Sequence, residues 1–327
     1  MRIFKMAWRN VWRNYRRSVI TIAAMTIALV VELLYAGLIT GLLIGMEEDA
    51  ISGDMQISTP VYLTKPSLYE VVEDHESIIE QVEAKGYRAS ARLFSGGLAA
   101  SGESSAGVGF IGVDPVRDTT VLELNQYIGE GEWLDDSDPL GVVIGRGLAR
   151  TLDLELGSEV VVLSQAADGS VANELFTVRG ILMTVAATMD RATILMTEKT
   201  FRELMVLPAG AHKIMIRRPV RSDLVVAGDE VRAMLDLPPA AEQNAAELEA
   251  KVWALTHPDE PPIELAEYPV AVKTWKELNV FLAQYLESVE SIIVILYLII
   301  YLAVAILILN AMLMAVFERI REFGVLK

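Results

Sequence analysis

The sequence contains no cysteine, which excludes a disulfide framework and any thiolate metal site. Its three histidines, His75, His212 and His257, are scattered and have no partner at metal-ligand spacing. No phosphate loop of the form Gly-x-x-x-x-Gly-Lys followed by Ser or Thr occurs, so this chain does not hydrolyse ATP by that route. A Gly-x-Ser-x-Gly nucleophile elbow is also missing. Gly107–Gly112 has the glycine spacing of a dinucleotide fingerprint, but it sits in a β-branched run leading into Asp114-Pro115. With no helix opening inside it, nothing meets a pyrophosphate. Acid pairs such as Asp135–Asp136 lie in a Gly/Asp/Pro loop and read as solvated turn residues. An enzyme is unsupported, and no cofactor is expected in the chain.

Charge of one sign is scarce in two places. Ile292–Phe317 has no ionisable residue, and Val19–Ile44 has only Glu32. Each run is long enough, roughly 39 Å as a helix, to cross a bilayer with some tilt. Both are longer than the apolar core of a cleaved signal peptide, so the first is expected to stay. Residues Met1–Arg17 carry Arg2, Lys5, Arg9, Arg13, Arg16 and Arg17 and no acid, and Arg319, Arg321 and Lys327 follow the second run. Positive flanks place both ends on the cytoplasmic side of a membrane. The segment before the first run reads as an interfacial helix, with Trp8 and Trp12 sharing a face at the headgroup layer and the arginines reaching lipid phosphates.

The organisation expected is therefore an interfacial helix at 1–17, a transmembrane helix at 18–45, and an extracytoplasmic domain at 46–286. A stalk and second transmembrane helix follow at 287–317, and a cytoplasmic segment at 318–327. Residues 46–286 hold 39 acids and 19 Lys plus Arg, a net charge of -20. A surface this acidic is poorly suited to nucleic acid. Gly37, Gly41 and Gly45 recur at intervals of four, a spacing that lets a second helix approach closely. Glu32, near mid-bilayer, has two readings: a polar group lining a cavity or helix interface, or a protonated side chain packed on a neighbouring helix.

Within the middle domain, Met55–Thr59 and Ile214–Arg217 read as strands, and Tyr69–Lys85, Arg221–Leu235 and Ala240–Leu255 as helices. Between them Val108–Val113, Gly141–Ile144, Glu159–Ser164, Leu175–Ile181 and Thr193–Met196 are β-branched runs cut by Gly and Asp, with a short helix over Gly147–Leu154. The fold class expected is a membrane α-helical protein with a large α+β extracytoplasmic domain of two lobes. One lobe is α+β, from 50–105 and 214–275, and the other is mostly β, from about 106–213.

Four segments carry a family resemblance. Ala7-Trp-Arg-Asn-Val-Trp-Arg-Asn14 with Arg16-Arg17 and a long apolar helix is one. Ile111–Pro115, Gly131–Leu134, Val143–Ala149 and Leu154–Ser158, in that order, are the second. Phe176–Ile181 with Met189-Asp190 is the third, and Glu318–Lys327 the fourth. Together they resemble permeases of the MacB/LolC–LolE/FtsX-like superfamily of ABC transporters, closest in layout to a LolC/LolE-type lipoprotein-releasing subunit. That resemblance implies a dimer of separate ABC ATPase subunits, which bind ATP and Mg, and a second permease subunit in a homo- or heterodimer. It also implies a periplasmic carrier or other periplasmic partner.

Members of this kind have four membrane helices, so two more are expected beyond Lys327 or in another chain. The resemblance places ATPase coupling at Arg319, Arg321, Glu322 and Phe323. A carrier-binding hairpin falls at Gln165–Glu174, with Asp168-Gly169 at its tip. The function implied is mechanical relay of ATP hydrolysis to extract lipoproteins. The alternatives are an FtsX-like regulator of a periplasmic hydrolase and a MacB-like efflux permease.

Overall fold

The structure, a computed structural model, describes residues 53–183, 187–219, 222–257 and 268–280, with single positions in 19–37 and 283–320. The chain divides into two units, one of residues 48–279 and one of residues 1–47 with 280–327.

In chain order the larger unit contains β1 (Met55–Ser58), α1 (Pro60–Thr64), α2 (His75–Glu83), β2 (Arg88–Ser101), β3 (Ser104–Val113) and α3 (Asp118–Val121). After a 3-10 turn at Leu124–Tyr127 come β4 (Ile128–Gly131), β5 (Gly141–Gly145), α4 (Arg146–Leu152), β6 (Glu159–Gln165), β7 (Val171–Leu182), α5 (Ala187–Ala192) and β8 (Thr193–Thr197). The last elements are α6 (Glu198–Met205), β9 (Lys213–Arg217), α7 (Leu224–Met234), α8 (Ala240–Thr256), β10 (Ala271–Thr274) and α9 (Trp275–Leu278). This is a mixed α/β domain.

The ten strands form one hydrogen-bonded network in the order β10-β1-β9-β2-β3-β8-β5-β7-β4, with β6 bridging β2 and β7. Pairs β3·β8 and β5·β7 are parallel and the rest antiparallel. The segments expected as separate lobes meet within this network. β2 pairs β9 through Arg88–Arg92, β3 through Arg92–Ser101, and β6 through Leu98–Ala100. A boundary near residue 106 would cut the β2–β3 hairpin. The core is shared as well, since Met215 of β9 packs in one buried cluster with Val113, Val143, Leu182 and Leu195.

Local chemistry sets the helix starts. Thr59 caps α1 by accepting from Tyr62 N (3.1 Å), with Pro60 at the first helical position. Asp223 caps α7 by accepting from Val225 N (2.9 Å) and Val226 N (3.1 Å). The helix expected from Tyr69 begins only at His75. The reason is that Val72 exchanges backbone hydrogen bonds with Ala211 (2.8 and 3.1 Å), which takes its peptide groups out of a helix. Elsewhere the expected strands lie within observed ones, except that Thr59 is the cap of α1.

Charge is buried at the centre of this sheet. Arg92 on β2 and Asp118 on α3 are paired and fully enclosed. Burial pushes the Asp118 carboxyl up, and the Arg92 guanidinium opposes the shift. His212 is also enclosed, with Phe94 N–H donating to its Nδ1 (3.0 Å) and Nε2 facing Leu68 O (3.1 Å). Both ring nitrogens are spent on backbone groups. Among the described residues no group of His, Asp and Glu is placed to hold a metal.

The described positions of residues 19–37 and 280–320 are helical, and large apolar side chains there are exposed, Leu33 and Leu34 among them. Among the described residues no helix is long and apolar enough to cross a membrane. Of the 26 residues in each apolar run, 10 of the first and 15 of the second are described.

Candidate partner-docking surface

β6 alternates strictly, with Val160 and Val162 fully buried and Glu159, Val161, Leu163 and Gln165 exposed. Such a strand has one face in the core and one in solvent. The register extends that outward face across its neighbours. Leu98 of β2 is opposite Leu163, Ala100 opposite Val161, and Leu175 of β7 opposite Val161. Opposite residues project to the same side of a sheet, so Leu98, Val161, Leu163 and Leu175 form one apolar patch. Each is 43–50% exposed. Clustered exposed apolar side chains of this kind mark interaction sites.

The patch is held on a rigid support. Ser164 Oγ donates to Gly96 O (2.7 Å), and a Cβ at Gly97 would collide with the Leu163 carbonyl and the Phe110 ring. Only glycine lets β6 approach β2 this closely.

At the end of the hairpin the turn Ala166–Ser170 is closed by Ala166 N donating to Ser170 O (2.9 Å), with Gly169 at φ +83°. Ser170 donates to Asp168 Oδ1 through its hydroxyl (2.6 Å) and its backbone N–H (2.9 Å), and these bonds hold the Asp168 carboxyl below the usual range. Ala167 N donates to Met205 O (2.8 Å), which ties the turn to the end of α6. The tip is therefore fixed from two sides.

Of the residues expected at the tip, Asp168 and Gly169 lie in the turn. Gln165 closes β6 opposite Val171, and Glu174 lies within β7 opposite Val162, accepting from Leu175 N (3.0 Å). The electrostatics are one-sided. Segments 93–113 and 155–178 contain Glu103, Glu155, Glu159, Asp168 and Glu174 and no Lys, Arg or His. An apolar patch with an acidic surround suits a partner that is apolar at its centre and basic at its rim.

The remaining expected site residues are not part of this surface. Glu32 is helical and half-buried, and Gly37 has open space beside it. Gly41, Arg319, Arg321, Glu322 and Phe323 lie outside the described residues. Sequence reading missed Leu98, Val161, Leu163 and Leu175. The uniformly apolar run Val160–Leu163 does not show which residues face out, and Leu98 joins only through pairing between strands far apart in the chain.

Residues 18–247 match the family model described as the MacB-like periplasmic core domain. No curated protein matches the chain. Among solved structures, the periplasmic region of MacB from Actinobacillus actinomycetemcomitans is similar at 11% identity, with a TM-score of 0.45. That match covers 72% of this chain and 94% of the other. The extracellular domain of the noncanonic ABC-type transporter YknZ from Gram-positive bacteria is similar at 12% identity, with a TM-score of 0.41. It covers 67% of this chain and 99% of the other.

Proposed function

The chain belongs to the MacB-like periplasmic core domain family of ABC-transporter permeases, and from that premise we propose that it relays ATP hydrolysis by a separate ATPase to an extracytoplasmic domain. The observation that carries this reading is the family match, which begins at residue 18, just before the first apolar run, and extends through β9, α7 and half of α8. The two apolar runs serve as membrane helices with both flanks cytoplasmic. ATP and Mg belong to the partner ATPase, whose contact is Arg319, Arg321, Glu322 and Phe323. A second permease subunit completes the membrane part, and Glu32, Gly37 and Gly41 lie on its helix interface.

The cargo we propose is an amphiphile, a lipid-modified protein lifted from the outer leaflet and passed to a soluble carrier. The support is the apolar patch of Leu98, Val161, Leu163 and Leu175, on which a basic-rimmed carrier would dock beside Asp168. The test is reconstitution of the full permease with its ATPase in vesicles containing an acylated reporter protein.

ATP should release the reporter into the soluble phase only when carrier is present. Leu98→Ser with Leu163→Ser should cut release at least tenfold while hydrolysis persists, and Arg321→Glu with Glu322→Arg should uncouple hydrolysis from release. Hydrolysis stimulated by a small amphiphilic dye, with no reporter released, would make the chain an efflux permease. Activation of a cell-wall hydrolase with no transport would make it an FtsX-like regulator.

A further inference from the structure

Among the described residues β10 is the terminal strand of the sheet, with β1 on one side and no strand on the other. Its outward peptide groups are nevertheless satisfied. Val272 N–H donates to Gln243 Oε1 (3.1 Å), and Val272 O accepts from Arg232 Nη2 (2.9 Å). Gln243 comes from α8 and Arg232 from α7, and both are buried. Two side chains thus occupy the place of a missing neighbour strand.

These groups are themselves fixed. Arg232 Nη2 also donates to Glu277 Oε2 (2.7 Å) and Oε1 (2.9 Å), and Nη1 to Asp229 Oδ1 (3.1 Å). Glu277 accepts further from Thr274 N (2.7 Å), Thr274 Oγ1 (2.8 Å) and Asn244 Nδ2 (3.2 Å). Buried Lys273 pairs with Glu247 on α8 (2.7 Å). Glu277 is therefore the point where β10, α7, α8 and the start of α9 converge.

The inner side of β10 is bound just as closely. Its four residues pair with β1 from Met55↔Thr274 to Ser58↔Ala271, and Trp275 N donates to Asp54 O (3.1 Å). Asp54 also donates its N–H to Ile216 O (3.0 Å) and accepts from Arg218 N at Oδ2 (2.8 Å). β1 is the first strand after the first apolar run and β10 the last before the second, and the end of each nearer its run is the Met55↔Thr274 pair.

We infer that β1 and β10 form one grip that moves as a single body during turnover, with Glu277 as the positioning residue that fixes the exit toward the second apolar run. The inference rests on the permease reading above. Its rival is a hinge in which the two strands slide past each other.

The absence of native cysteine makes the test clean. Ser58→Cys with Ala271→Cys joins register partners, both small and buried. In the full permease reconstituted with its ATPase, oxidation should form the crosslink and leave ATP-driven release of the acylated reporter within twofold of the reduced protein. Glu277→Gln should lower release per ATP at least fivefold with hydrolysis unchanged, and oxidation of the cysteine pair in that variant should restore it. Loss of release on crosslinking, or no rescue, overturns the inference.

If the wild type releases nothing, the permease reading fails and hydrogen exchange of the full chain decides the grip alone. Segments 55–58 and 271–274 should then exchange together, and Glu277→Gln should speed both at least tenfold. Independent exchange of the two strands overturns the inference.

Discussion

At β10 an edge with no further strand among the described residues is closed by buried Gln243 and Arg232, whereas the outer face of β2, β6 and β7 leaves Leu98, Val161, Leu163 and Leu175 in solvent. The first region spends charged and amide side chains on covering an exposed edge. The second leaves apolar side chains uncovered on a face where polar ones would serve solubility. Unpaired strand edges invite wrong partners, and proteins cover them. The two regions thus treat exposed sheet surface in opposite ways, one edge covered by side chains and one apolar face left in solvent.

The largest expected effect comes from breaking the covered edge. Arg232→Ala leaves Glu277 half-buried without its guanidinium and Val272 O without a donor. A loss of about 3–5 kcal/mol is expected, in line with removal of one member of a buried ion pair, read by urea denaturation. Gly97→Ala tests the support of the open face. The added Cβ meets the Leu163 carbonyl, so β6 must shift, and a loss of about 1–3 kcal/mol should appear with altered exchange in 159–165.

pH tests the covered edge next. Burial pushes Glu277 up, but Thr274 and the Arg232 guanidinium outweigh it and hold the carboxyl below its usual value. A depressed carboxylate contributes stability that is complete above the unfolded value of about 4.5 and is lost as pH falls through the folded one. His212 is held below its ordinary value by burial, so its contribution fades from about pH 6.5 downward. Glu277→Gln should flatten the melting-temperature profile only below about pH 4.5, leaving the slope that begins near 6.5.

The smallest effect is a gain. Val206 ends α6 at φ +50°, a conformation that strains a β-branched residue, and its side chain is half exposed. Val206→Gly should add about 1 kcal/mol while keeping the Met205 O bond to the hairpin turn. A fall in melting temperature would contradict it.

Strands such as β6 and β9 were legible in the sequence because short apolar, β-branched runs bounded by polar residues are a local signal. β2 was not, since Arg88–Ser101 is rich in Ser, Gly and Ala and offers no β-branched run. β10 and α9 were hidden by their brevity, at four residues each. The hairpin at Gln165–Glu174 was placed by family resemblance, which reached the turn at Asp168-Gly169 but drew in Glu174 because the sequence does not show where β7 begins. The apolar patch depends on β2 meeting β6, a pairing between residues more than sixty apart that composition does not encode. The grip escaped notice for the same reason, as Arg232 and Glu277 are distant in sequence and adjacent only through β10.

The Met55↔Thr274 pairing sets the two ends of this α/β unit roughly 5 Å apart, the spacing of opposed residues in an antiparallel ladder. A body whose entrance and exit coincide is a cassette. It can be lengthened, trimmed or exchanged between the same two flanking segments, because one pair of opposed residues sets the spacing of its ends.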